Sequence, residues 1–415
     1  MIVVFIFLFQ ALVPFNFAAA QELLTWDGCI KEAAKNHPDL ISASEAIKES
    51  VAAKKITSSG EYPQVSASLS ASKSKAGSNP SVDSYSTSLS ASQLVFDGKK
   101  TINNVKAAQE NIQAAKHNFR FTSSEVRQAL RVAFVNLLKA QEMTRISREI
   151  FEIRRANLEL ITLRYQSGLE HRGALLTAEA NLAEAQYNIN TAVHELRVAQ
   201  MNLSKQLGRG KWSALSVSAD FTVRDIPSQD IDLEALAKNN PQILKLTAQK
   251  NSAEFNLRSA YGGFAPSVSV SANTGKTGAT FFPQNTEKGI GLSLNLPLFE
   301  GGLKTAQVAQ AEAALNQLKE NERSSRDSVI ATLEQYRAAL LEAIDNVDVQ
   351  NKSLLATVER SKIAEAQYSI GTISFDSWTI IEDNLVSAKR AYLNAQADAM
   401  LAEANWIMAK GETLE

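Results

Sequence analysis

Leu94-Val95-Phe96-Asp97-Gly98 returns as Pro297-Leu298-Phe299-Glu300-Gly301, at a spacing of 203 residues in a chain of 415. Other pairs keep that spacing: Pro38 with Pro241, Pro63 with Pro266, Tyr165 with Tyr368, and Gly168 with Gly371. One constant offset means two copies of a single architecture, not two unrelated domains. In each copy an alternating apolar and polar run ends in Phe-acid-Gly, and a long Ala-rich helical pattern follows. Phe96, Asp97 and Gly98, like Phe299, Glu300 and Gly301, therefore mark a seam between strand and helix. An acid beside the positive end of the helix and a glycine easing the bend suit that position.

Outward from the seam, the period changes. On the amino-terminal side, Val65, Ala67, Leu69 and Ala71 alternate with serines, and after Gly77-Ser78-Asn79-Pro80 the chain returns with Tyr85, Thr87, Leu89 and Ala91 alternating with serines again. This period of two predicts a β-hairpin with one apolar and one small polar face, strands at about 64–73 and 83–96. The second copy predicts strands at about 267–275 and 288–299. Strands of about ten residues, tilted, cross a bilayer, and an apolar face opposite a Ser, Gly and Asn face suits lipid on one side and water on the other.

On the carboxyl-terminal side, no Pro or Gly interrupts the 68 residues from Lys99 to Gln166. As a helix that stretch is about 100 Å long. Val105, Ile112, Phe119, Val126 and Ala133 form a seven-residue line, matched 203 residues later by Val308, Leu315, Glu322, Val329 and Tyr336. A turn is predicted at about 167–173 and a second at about 370–375, each followed by a further helix. Before the hairpin, Pro38 constrains His37 and breaks an earlier helical pattern at residues 36 to 38. Two shorter helices stacked end to end would match the long one beside them.

The expected organisation is a signal peptide over residues 1–20, a first repeat over 21–208, a linker over 209–230 and a second repeat over 231–411. The leader rests on an apolar run ending in Ala18-Ala19-Ala20. No later stretch is long and apolar enough for a transmembrane helix, so any membrane crossing in the mature chain must use strands. Four strands leave two unpaired edges, which lipid cannot satisfy, so copies must assemble. Two copies would close a small barrel filled by its own side chains; three would give 12 strands around a lumen.

Chemistry is absent from the pattern. The formal net charge is −1 with both signs interspersed, which excludes the basic stripe of a nucleic-acid binder. His37, His117, His171 and His194 lack partners at metal-binding spacing, Cys29 is the single cysteine, and neither a phosphate loop nor a nucleophile elbow occurs. No enzyme, cofactor or metal is expected.

Taken together, the two Phe-acid-Gly seams, the Tyr-x-x-Gly turns at Tyr165 and Tyr368, the tandem repeat and the leader resemble the TolC-like outer-membrane efflux proteins, the outer membrane factors. The resemblance covers about 22–411. It implies a mainly α fold with a small β part: a homotrimer whose 12-stranded β-barrel in outer-membrane lipid continues into a 12-helix α-barrel in the periplasm. It further implies an exit duct serving a periplasmic adaptor and an inner-membrane RND or ABC transporter, in efflux or type I secretion. Arg164, Tyr165, Gly168, Leu169, Tyr368, Gly371 and Thr372 would then form the periplasmic tip that meets the adaptor. Family members often carry paired aspartates after the second turn; here Asp376 is closest, with Glu382 and Asp383 further on, as a possible gate. The competing reading of long helical hairpins is a periplasmic adaptor or structural coiled-coil protein, which would carry one hairpin and a β-rich domain in place of a tandem repeat.

Overall fold

The computed structural model describes residues 22–223 and 231–414. The expected leader and part of the expected linker, residues 224–230, lie outside the described residues. In chain order the elements are β1 (Glu22–Leu24), α1 (Trp26–Asn36), α2 (Pro38–Ser58), β2 (Gln64–Ser74), β3 (Val82–Phe96), α3 (Lys100–Gln166), α4 (Arg172–Gln206) and β4 (Leu215–Val217). Then come α5 (Leu233–Asn239), α6 (Pro241–Gly262), β5 (Ser267–Gly278), β6 (Asn285–Asn295), α7 (Leu303–Ser369) and α8 (Phe375–Ala409). None of these helices is long and apolar enough to cross a membrane.

The chain forms two compact units, and α3 and α7 contribute to both. One unit comprises residues 31–132, 222–349 and 398–415. Its sheet runs β2-β3-β5-β6, all antiparallel, so the two hairpins join edge to edge through β3 and β5. On one face, serine hydroxyls pair across β2 and β3: Ser66 with Ser90 at 2.9 Å, and Ser68 with Ser88 and Ser70 with Ser86 at 2.8 Å. The other face carries Leu69, Ile290 and Leu292, all strongly exposed. Among the described residues, no strand pairs with the outer edges of β2 and β6.

The second hairpin departs from expectation. β6 ends at Asn295, not 299, because Pro297 has no N–H to give a ladder and Leu296 to Phe299 leave the sheet. β5 in turn runs on to Gly278. The first seam keeps its strand to Phe96, with a bulge between Leu94 and Phe96.

The seams differ at the helix end as well. Asp97 Oδ2 accepts from the Thr101 amide at 2.8 Å and the Thr101 hydroxyl at 2.5 Å, satisfying an orphan donor of α3. Lys99 is not helical, contrary to the expected start; it and Gly98 both sit at φ +67°. Glu300 instead faces Lys304 Nζ at 3.6 Å. Below the seams, Glu322 occupies its seven-residue line because Lys250 Nζ at 2.7 Å and Thr247 Oγ1 at 2.6 Å satisfy it. Ala237, Ile243, Val329, Leu333, Leu340 and Trp406 form a hydrophobic core in the same unit.

The other unit comprises the described residues up to Ile30 with 133–221 and 350–397. β1 and β4 pair in parallel, and Gln141 on α3 bonds both backbone groups of Val217. Cys29 is buried and free of disulfide.

Candidate functional site

The two turns of this second unit are built alike. α3 closes with the Leu169 amide on Arg164 O at 2.8 Å and Gly168 on Tyr165 O at 3.0 Å; α7 closes with Thr372 on Gln367 O at 2.9 Å and Gly371 on Tyr368 O at 3.0 Å. Both are Schellman closures, in which the residue after the helix takes the left-handed conformation. Gly168 has φ +74° and Gly371 φ +82°, with open space around each, so conformation alone selects glycine there. His171 then caps α4 through Nδ1, accepting from Ala174 N at 3.1 Å. Ser374 caps α8 by accepting from Ser377 N at 3.3 Å, which starts that helix at Phe375.

Between the turns lies a small core of Ile161, Ala174, Ala178, Tyr368, Phe375 and Trp378. Tyr368 is its hub. The phenol stacks on Trp378 with centroids 4.4 Å apart and planes 10° apart, while the Arg164 guanidinium sits 4.7 Å from the ring centroid on its own account. Its hydroxyl donates to Glu170 Oε2 at 2.8 Å, joining the end of α7 to the turn after α3. Burial, and next the Glu170 carboxylate, push the phenol well above its ordinary pKa. Trp378 Nε1 and Arg164 Nε are buried without a hydrogen-bond partner. A buried orphan donor costs about 1–3 kcal/mol, so the packing of this core is not fully satisfied.

The expected tip residues therefore divide. Tyr165 and Leu169 are exposed, Leu169 at 67%, and so is Ile370 at 75%, a turn residue that the expectation did not include. Gly168, Gly371 and Thr372 shape the turns, whereas Tyr368 is 1% exposed and faces inward. The expected acidic residues divide too. Asp376 is exposed. Asp383 takes Arg154 Nη2 at 2.5 Å, tying α8 to α3. Glu382 is 5% exposed and accepts from Ser361 Oγ at 2.5 Å. Burial pushes the Glu382 carboxyl up, against Ser361 and Arg154, which draw it down.

Residues that sequence reasoning missed are Glu170, Phe375 and Trp378. Phe375 and Trp378, three apart at the start of a helix, signalled an inward aromatic pair; nothing in the sequence joined Glu170 to Tyr368. Beyond them, Arg154, Asn181, Glu184, Asn188, Asp383 and Arg390 line a polar cleft of about 240 Å³. Among the described residues, no three His, Cys, Asp or Glu side chains gather as metal ligands.

Glu382 carries a pH consequence. Its folded pKa lies above the unfolded value, so the folded state holds this proton more tightly. Stability is greatest below the ordinary carboxylate range and falls as pH rises from there to the raised folded pKa. Glu382→Gln keeps an acceptor for Ser361 and removes the charge. Thermal melts of the variant are expected to run higher than wild type at pH 7 and to lose the corresponding fall between acid and neutral pH.

The comparisons agree with this architecture. A family model described as outer membrane efflux protein matches residues 29–209 and again 233–411. BepC, an outer membrane efflux protein of Brucella suis biovar 1, is 24% identical over 95% of this chain and 86% of its own length. The outer membrane protein TolC of Escherichia coli K12 is 24% identical over 66% of this chain and 58% of its own. A crystal structure of CusC, whose study concerns folding and transmembrane channel formation, superposes with a TM-score of 0.85 at 20% identity, over 93% of this chain and 91% of that one. That last likeness is one of fold; the repeated match over both halves carries the assignment, and the chain belongs to the outer membrane efflux protein family.

Proposed function

We propose that this outer-membrane efflux channel is a homotrimer whose three sheets close into one 12-stranded barrel, a passive exit duct for efflux or type I secretion. The observation that supports it is the four-stranded sheet whose outer edges, β2 and β6, are bare among the described residues and whose apolar face is largely exposed. Lipid tolerates no open edge, and a serine-lined inner face suits a wet lumen. The chain has no motif for chemistry, so the work is done by partners: a periplasmic adaptor and an inner-membrane RND or ABC transporter, which also choose the cargo.

In this reading the turns of the second unit are the adaptor-facing tip. Leu169, Ile370 and Tyr165 offer exposed apolar contact, with Arg164, Gly168, Gly371 and Thr372 holding the turns in shape. Tyr368 acts as the latch between them. Since Glu382 and Asp383 are already engaged, Asp376 is the carboxylate available for a threefold acidic ring.

The repeat gives the intersubunit register. Within the chain Ser90 of β3 opposes Asn273 of β5. Moving each by the repeat spacing of 203 in opposite directions sets Ser293 of β6 against Ser70 of the partner subunit. The variant Ser70→Cys/Ser293→Cys is expected to run as a disulfide-linked trimer on non-reducing gels after oxidation, and Ser72→Cys/Ser293→Cys is not. Cys29 is buried and does not compete. Soluble monomer with no crosslink would refute the closed barrel.

A further inference from the structure

On the strands, the lysines share one face. Along β2 the apolar face runs Val65, Ala67, Leu69, Ala71 and then Lys73; along β5 it runs Val268, Val270, Ala272, Thr274 and then Lys276; along β6, read backwards, Leu294, Leu292, Ile290 and then Lys288. The opposite face of the same strands carries serine, asparagine, glycine and threonine, with Glu287 held by Thr277 at 3.1 Å. If lysine served the lumen, the parity would be reversed.

Height and pairing narrow the reading. From Val268 to Lys276 the strand runs roughly 26 Å along its own axis, or roughly 20 Å of height at a barrel tilt of about 40°, and the reach of the lysine side chains carries their charge to the rim of an apolar band about 25 Å tall, toward the hairpin tips. Thr274 opposes Lys288 while Lys276 opposes Thr286, which makes Lys276 and Lys288 diagonal neighbours on that face. The one carboxylate on that face of the four strands, Asp83, pairs with Lys73 at 3.4 Å. Beside Lys276 the loop after β5 folds back over the sheet. Leu69, Ala71, Tyr85, Phe281, Phe282 and Pro283 wall a groove of about 610 Å³ there. Phe281 meets Tyr85 edge-on at 5.8 Å and Phe282 at 5.2 Å.

We propose that Lys276 and Lys288, together with this aromatic-walled groove, seat a phosphorylated and acylated glycolipid of the outer leaflet, its phosphate on the lysine pair and an acyl chain in the groove. A cation pair at the rim complements phosphate at headgroup depth, and an apolar groove continuous with the lipid-facing surface takes hydrocarbon. The inference rests on the lipid-facing assignment of this face made under the proposed function.

The test is native mass spectrometry of the full-length protein purified in detergent and titrated with diphosphoryl lipid A, dephosphorylated lipid A or phosphatidylglycerol. Wild type is expected to retain diphosphoryl lipid A best. Lys276→Gln/Lys288→Gln is expected to bind it roughly 30-fold more weakly, and the dephosphorylated probe is expected to bind both proteins at that weaker level. Unchanged binding by the variant, equal binding of the dephosphorylated probe, or equal displacement by phosphatidylglycerol would each overturn the assignment. Fractionation of both proteins keeps the two readings apart. Recovery outside the outer membrane removes the lipid-facing face itself, whereas membrane-embedded trimers with unchanged lipid binding remove only the site.

Discussion

Gly98→Ala is expected to destabilise the protein by about 2–5 kcal/mol, while Gly301→Ala, the same change at the same place in the repeat, costs about 1 kcal/mol. Both glycines lie in the left-handed region, at φ +67° and φ +59°. They differ in what surrounds them. A Cβ on Gly98 would stand 2.5 Å from Gly262 O and closer still to Ala265 Cβ; one on Gly301 would meet nothing within 4 Å. Backbone at the end of α6 cannot step aside as a flexible side chain would, so strain and overlap add at Gly98. The approach is mutual, because a Cβ on Gly262 would stand 2.7 Å from Gly98 O. One repeat earlier, Gly262 corresponds to Ser59, whose own Cβ forbids so close a contact. The second seam therefore stays wider even if a partner subunit's Ser59 lies against it. Circular-dichroism melts of the two variants in detergent measure the difference. Equal losses would show that the Gly98–Gly262 approach contributes nothing.

That asymmetry marks where sequence reading stops. The constant offset made both seams, both turns and the alternation of the strands legible, since each depends on local chemistry: Pro removes a donor, Gly accepts positive φ, and period two sorts faces. It could not show that Phe96 ends a strand while Phe299 has left one, because Pro297 is the one difference between the motifs that removes a backbone donor, and its effect depends on which neighbour needs the N–H. Glu322 is the one charged member of its seven-residue line; Lys250 and Thr247, 72 and 75 residues away in sequence, make it a satisfied buried residue. The candidate site was legible as a place and not as a mechanism. Tyr368 was recognisable by its repeat position, yet its partners Glu170 and Arg164 lie 198 and 204 residues back, beyond any spacing rule.

Those partners define the second large effect. Tyr368→Ala removes a ring that is stacked on Trp378 and carries the Arg164 guanidinium, which costs about 3–5 kcal/mol of local packing. In the proposed channel that energy holds the tip shut, so single-channel recordings in planar bilayers are expected to show a constitutively open state. Loss of packing alone could do this, and Tyr368→Phe separates the causes. It keeps the ring and deletes one hydrogen bond to a carboxylate, worth about 1.5–3 kcal/mol, or at least a tenfold rise in open probability. Glu170→Gln weakens the same bond from the other side and should act in the same direction. If Tyr368–Glu170 is the latch, the double variant Tyr368→Phe/Glu170→Gln opens no further than Tyr368→Phe, since the bond can be lost only once. If the two effects instead multiply, each residue acts on its own and the bond between them is not what keeps the turns together. A melt that falls while open probability stays at wild-type level would assign Tyr368 to stability alone and move the gate away from these turns.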